Sequence, residues 1–303
     1  VGEMKTLLAA LLVVLTYSAP DASASPSRIH QALDAWNVPK ASRAAKRLKI
    51  EDDVDGKILL ALGRLALVEG RYELAVTYLS SSHAKSKNPR VAHFLELARS
   101  TWEETRDYAE YNTKAGNFVV RYPKGPDKLL LPYLDDVLER AFIELTQVFG
   151  HNPPTPIRVE IYPQAEVLAA VSPLTVEEIK TSGTIALCKY NRLMAVSPRA
   201  LVYGYSWADT LAHEFIHLLV SQKSGNRVPI WMHEGLARYY QERWRSVEAP
   251  KLSRASEHLM AQAIDDKNLI SFEDMSPSMA KLPSQDATAL AFAEVFSAME
   301  FMV

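Results

Sequence analysis

The sequence predicts an α+β protein with a helical front half and a mixed strand–helix back half. Three observations carry this. From residue 28 to about residue 113 the chain is rich in Ala, Leu and Arg and shows few strand signals. After residue 115, short runs of β-branched and aromatic residues appear between helical stretches. Those runs follow the order strand, helix, strand, hairpin, helix. We therefore expect a helical domain over residues 28–115 and an α+β domain over residues 116–303.

The bulk properties narrow the partners. The 303 residues suffice for two domains and a sizeable core. Hydrophobic residues make up 48% and charged residues 23%, as in an ordinary globular protein. The formal net charge is −2 and no basic block stands out, so nucleic acid is not an expected partner. The single cysteine, Cys188, rules out an intrachain disulfide. It reads as a small residue buried beside a strand, because IALCKYN offers no neighbouring base to activate a thiol.

MKTLLAALLVVLTYSAPDASAS begins at Met4 and has the layout of a secretory signal peptide. Lys5 precedes an apolar run from Leu7 to Leu15, and the segment ends in Ala22-Ser23-Ala24. The apolar run is shorter than the roughly 20 residues that span a bilayer. The expectation is a signal peptide over residues 1–24, an exported (periplasmic or extracellular) protein starting near Ser25, and no membrane span in the mature chain.

In the helical half, KILLALGRLALVEGRYELAVTYL (residues 57–79) is the clearest piece. Leu59, Leu62, Ala66 and Val68 fall at helical spacing, Gly70 interrupts, and Tyr72, Ala75, Val76 and Leu79 form a second stripe. Gly63 and Ala75 would let the two helices approach closely. The pattern L-x-x-L-G followed by G-x-Y-x-x-A-x-x-x-L resembles a tetratricopeptide repeat, whose period is about 34 residues. Steps of that length from Ala75 reach Ala41 and Ala109, and from Leu79 reach Ala45, giving about three hairpins with degenerate outer copies. A plain helical bundle would give similar spacing. Either way this half offers a docking surface for a protein partner, and it carries no ligand-spaced cluster.

In the second half, GNFVVRYP (residues 116–123) and IRVEIYP (residues 157–163) read as strands, and GTIALCKYNRLMAVSP (residues 183–198) as a hairpin turning near Lys189-Tyr190-Asn191. YLDDVLERAFIELTQVFG (residues 133–150) reads as a helix stopped by Gly150. SWADTLAHEFIHLLVSQ (residues 206–222) reads as another, with Ser206 and Asp209 in capping-box relation.

That last helix holds His213-Glu214-Phe215-Ile216-His217. H-E-x-x-H places two imidazoles one turn apart on one face, where a metal can bridge them, with Glu214 able to reach a water on that metal. Zinc suits such ligands, and a catalytic site leaves one position for water. The flanking Leu211, Ala212, Phe215, Ile216, Leu218 and Leu219 make the helix apolar nearly all round. A buried helix should not carry two histidines and a glutamate unless they are satisfied. A third protein ligand must follow. The position six residues after His217 is Lys223, which excludes a histidine there. VPIWMHEGLARYY offers Glu234 and its neighbour His233, and successive helix residues point about 100° apart, so both do not serve one ion.

H-E-x-x-H followed by W-M-x-E-G-L-A-x-Y resembles the gluzincin metallopeptidases. It is similar to M1-type aminopeptidases and closer to the smaller "peptidase MA-like" domains of bacterial secreted proteins, which often accompany tetratricopeptide repeats. The resemblance implies a thermolysin-like fold with a mixed sheet and the H-E-x-x-H helix. It implies zinc held by His213, His217 and Glu234, and Glu214 as general base, which selects Glu234 over His233. It covers residues 116 to 303 and is sharpest over residues 191–241. The chain departs from the pattern in several places. The loop from His217 to Glu234 is shorter than in the M1 enzymes. Their G-x-M-E-N motif does not precede the site, so aminopeptidase activity is not expected. Arg238 stands where thermolysin-like enzymes carry an acidic residue. Phe292 stands where related domains carry an aromatic residue on a later helix, and it has no hydroxyl. Tyr239 and Tyr240 are expected to pack in the core.

The expected function is a secreted zinc endopeptidase acting on peptide or protein substrates. The alternative is a cell-envelope binding or scaffold protein whose zinc domain is structural or silent. The retained Glu214 favours the first, since a purely structural site has no use for a base. The chain stops at Met302-Val303 within an apolar helical pattern, so a C-terminally incomplete domain is also expected.

Overall fold

The computed structural model describes residues 25–48, 54–248 and 250–303. The signal-peptide expectation therefore lies outside the described residues. The chain divides into two compact units, one ending at Trp102 and one starting at Glu103.

The described residues of the first unit are helical: α1 (Pro26–Asp34), α2 (Val38–Lys46), α3 (Gly56–Val68), α4 (Tyr72–Lys85) and most of α5 (Pro89–Thr105). α3 and α4 form a hairpin in which Ala75 and Leu79 are fully buried. A Cβ on Gly63 would lie 2.5 Å from Leu79 Cγ, so the helices meet at a spot where only glycine fits. A second apolar cluster joins Ile29, Leu33, Ala41, Ala45, Ala61 and Leu65 from α1, α2 and α3.

One polar contact ties α1 to α3. Arg64 Nη1 donates to His30 Nδ1 at 2.8 Å, and Nη2 pairs with Asp34 at 2.7 Å. The same guanidinium lies 4.8 Å above the Phe94 ring. Burial, then the charges of Arg64 and Arg90, lower the His30 pKa from 6.5 to about 4.

The second unit is an α+β domain. Its sheet runs β1 (Ala109–Asn112), β2 (Phe118–Tyr122), β3 (Ile157–Tyr162), β5 (Arg192–Val196), β4 (Ala186–Lys189) in that order. β2, β3 and β5 are parallel, while β1 and β4 are antiparallel edges. The β4–β5 turn is Tyr190-Asn191, both at positive φ (53° and 58°), which suits a two-residue hairpin.

Helices cover both faces of the sheet. On one face Phe118 of β2 touches Phe142 of α6 (Leu131–Phe149) and Phe215 of α9 (Trp207–Ser224), with ring centroids 6.0 and 5.4 Å apart. On the other, Tyr162, Met194 and Val196 pack on α7 (Ala165–Ala170) and α8 (Val176–Ser182). All of β5 is buried, as expected of a strand covered on both sides. Within that second face Arg192 Nη1 donates to Glu160 Oε2 at 2.8 Å and Nη2 to Val171 O at 2.8 Å. The Tyr162 hydroxyl donates to Glu160 as well, at 2.5 Å. The buried acid is thus held by charged and neutral donors together.

Two expectations need correction. The stretch to residue 113 is not all helical: residues 109–112 form β1, paired with β2, so a repeat step from Ala75 lands on a strand. Four residues are too few to show an alternating pattern, and the strand is set by its partner. The Ser206–Asp209 capping box is also not formed: Ser206 makes no side-chain cap bond. Asp209 instead accepts from Trp244 Nε1 at 3.0 Å and Arg245 Nε at 2.8 Å. A nearby guanidinium outcompetes the helix's own backbone for that carboxylate.

His30 gives the first unit a pH signature. Its lowered pKa means that the unfolded chain binds the extra proton first. Its stabilising contribution is full above pH 6.5 and is lost as the pH falls towards about 4. Thermal melting across that window should show a steeper fall for the wild type than for His30→Gln.

Candidate metal centre

α9 lies against β4, β5 and α6, and its buried residues include Leu211, Ala212, Phe215, Ile216, Leu218 and Leu219. The remaining face carries His213 and His217, one turn apart, their rings 4.7 Å centre to centre. α10 (Ile230–Tyr240) crosses this face after Pro229 and supplies Glu234. Glu234 Oε2 lies 3.3 Å from His213 Nε2 and 3.4 Å from His217 Nε2. One carboxylate oxygen thus sits between the two imidazoles.

Glu214 is 5% exposed. It accepts the backbone N–H of Cys188 on β4, while its Oε2 is buried with no hydrogen-bond partner. The ligand-type atoms of His213, Glu214 and His217 lie within 4.8 Å of one another, a group able to hold a metal ion.

The charges in this cluster oppose each other. Burial pushes the Glu214 carboxyl up, His217 and His213 pull it back, and Glu234 adds to the rise. Burial also works against charge on Glu234, but the two imidazoles outweigh it and hold that carboxyl far below the usual carboxylate range. For His217, burial disfavours the proton, yet Glu234 and Glu214 lift the pKa to about 9. His233, buried and facing His217, is lowered to about 4.

The structure brings His213, Glu214, His217 and Glu234 together, and sets His233 behind His217 with the two Nδ1 atoms 3.3 Å apart. Two partners escaped the sequence reading. Gln241 Oε1 accepts from His213 Nδ1 at 3.2 Å. Its signal was available: it follows Glu234 by seven residues, two helical turns, which returns to the same face. The Cys188 N–H could not have been found, because strand register decides it. Cys188 itself is partly buried, and burial with the nearby Glu214 pushes its thiol well up. Tyr239 meets Tyr240 edge-on and Phe296 at a tilt, and Tyr240 meets Phe149 edge-on, so their ring contacts are with other aromatic residues. The Phe292 ring lies 6.2 Å from that of His213.

After α11 (Arg254–Asp265), α12 (Gln285–Met302) packs on the segment around Glu234. A Cβ on Gly235 would lie 2.9 Å from Val295 O and 2.8 Å from Met299 Cγ. Ala237 is fully buried. Trp231 stacks on Phe272 with centroids 4.4 Å apart. The W-x-x-E-G-x-A pattern is therefore an anchor, a ligand-type carboxylate, a glycine that lets a second helix close on it and a buried alanine.

An α+β domain with this histidine–glutamate cluster is of the metallopeptidase type. The model of the peptidase MA superfamily matches residues 137–303, more than half of the chain, and the chain belongs to that superfamily. Among curated proteins none matches it. No helix of the described residues is long and apolar enough to cross a membrane.

Gly235→Ala should cost about 1–3 kcal/mol, because Val295 O is backbone and cannot turn aside. Denaturant unfolding of the variant against wild type measures it.

Proposed function

We propose that the chain is an exported zinc-dependent endopeptidase with tetratricopeptide-like helices ahead of its catalytic domain. The observation that carries this is Glu234 Oε2 at 3.3 and 3.4 Å from the two Nε2 atoms, beside a buried, unpartnered Glu214 Oε2. Tetrahedral zinc with bonds of about 2.0–2.2 Å needs ligand atoms about 3.3–3.6 Å apart, and the two distances from Glu234 Oε2 match that spacing. In this reading His213, His217 and Glu234 are the metal ligands.

Bound there, zinc supplies Lewis acidity, lowering the pKa of water and polarising a peptide carbonyl. The chain's residues do the rest. Glu214 takes a proton at Oε2 and returns it to the leaving amine. One carboxylate thus serves as base and then as acid. The Cys188 N–H holds its carboxyl by one oxygen and leaves the other for the proton. The apolar packing around α9 keeps bulk water from the base.

A second reading is a binding or scaffold protein with a silent zinc domain. Phe292 favours it, since a ring without a hydroxyl lies against His213.

The two readings separate in one variant. Glu214→Gln should keep one zinc per chain, by metal analysis, and lose about 10²–10⁴-fold in cleavage of a peptide library. Cleavage at the wild-type rate in that variant rejects the peptidase mechanism. A wild type that binds zinc and cleaves nothing favours the scaffold.

A further inference from the structure

An imidazole that gives one ring nitrogen to a metal leaves the other needing a partner, and that partner fixes the tautomer and the ring's aim. Both histidines have such a partner here. His213 Nδ1 donates to Gln241 Oε1 at 3.2 Å, and Gln241 is 9% exposed. His217 Nδ1 lies 3.3 Å from His233 Nδ1, and His233 is 6% exposed. A metal that takes Nε2 of each ring, on the side facing Glu234, leaves the proton of each ring on Nδ1. Two N–H groups cannot face one another, so His233 accepts at Nδ1 and carries its own proton on Nε2. Both acceptors are then neutral. Arg238, four residues after Glu234, is exposed and plays no part in this.

We propose that Gln241 and His233 are positioning residues that lock the two metal-binding imidazoles through neutral acceptors. They thereby set metal affinity below what a carboxylate partner would give. The inference rests on the proposed zinc site. A carboxylate in place of Gln241 would raise the basicity of His213. A neutral acceptor orients the ring without doing so.

The test uses the full chain, stripped with a chelator and checked for folding by circular dichroism. Zinc affinity is read by competition with a chromophoric chelator. Gln241→Leu should weaken binding about 10–100-fold, and the isosteric Gln241→Glu should tighten it. A residue that served only packing would not give tighter binding on gaining a charge. His233→Phe should weaken binding to a similar degree. His233→Asn, which keeps an acceptor, should recover most of that loss. Equal affinities for Gln241→Leu, Gln241→Glu and wild type overturn the proposal, as does unchanged affinity in His233→Phe. If Glu234→Ala abolishes zinc binding while the Gln241 and His233 variants do not alter it, the zinc site stands and this inference alone falls. If the wild type takes up no zinc, both fall.

Discussion

The second unit is organised around one constraint: α9 is buried almost all round and still carries two imidazoles and a carboxylate. Such groups are costly in an apolar core unless each is paired. The sheet and α6 take up the apolar residues of the helix, leaving one polar face. α12 sets the Phe292 ring against His213, while β4 and α10 supply polar groups to this face. β4 offers the Cys188 N–H to Glu214, and α10 offers Glu234, His233 and, at its end, Gln241. Three side chains and a backbone amide from two elements thus meet the polar face of α9.

The position of α10 is in turn a packing result. Gly235 lets α12 approach to backbone contact, and Trp231 is anchored on Phe272. Ile230 and Trp231 pack against Met275, Met279, Leu282, Ala291 and Val295, the apolar cluster between α10 and α12. Glu234 sits between these anchors, so its carboxylate is placed by contacts on both sides of it in sequence. This is how residues with no part in the chemistry hold a 3.3 Å distance.

The histidine–glutamate group was legible in the sequence because helix geometry alone puts His213 and His217 on one face. Choosing Glu234 over His233 needed a resemblance to known domains. In the structure Glu234 lies between the two Nε2 atoms, while His233 lies beside Nδ1 of His217. The strands of residues 118–122 and 157–162 and the hairpin at Tyr190-Asn191 were legible from composition and turn chemistry. β1 was not, because its pairing with β2 overrides a neutral local sequence. Nor was the failed Ser206 cap, since Asp209 is claimed by residues some 35 positions away. Contacts local in sequence were readable. Those made by distant segments, the Cys188 amide among them, were visible only once the chain was folded, while Gln241 left a signal in its seven-residue spacing from Glu234.

The electrostatics show what such a cluster is built to hold. Glu234 is kept ionised and His217 is lifted to about 9, so without a metal the pair traps a proton in a buried place. A carboxylate and an imidazole that share a proton can offer the same lone pairs to a metal. At the proposed site a divalent ion would neutralise Glu234 and offer a counter-charge to Glu214, whose Oε2 has no hydrogen-bond partner. Its uptake would expel the proton on His217, which would couple binding to pH. The same charge would lower the Glu214 pKa that burial raises, favouring the ionised form that the proposed base needs.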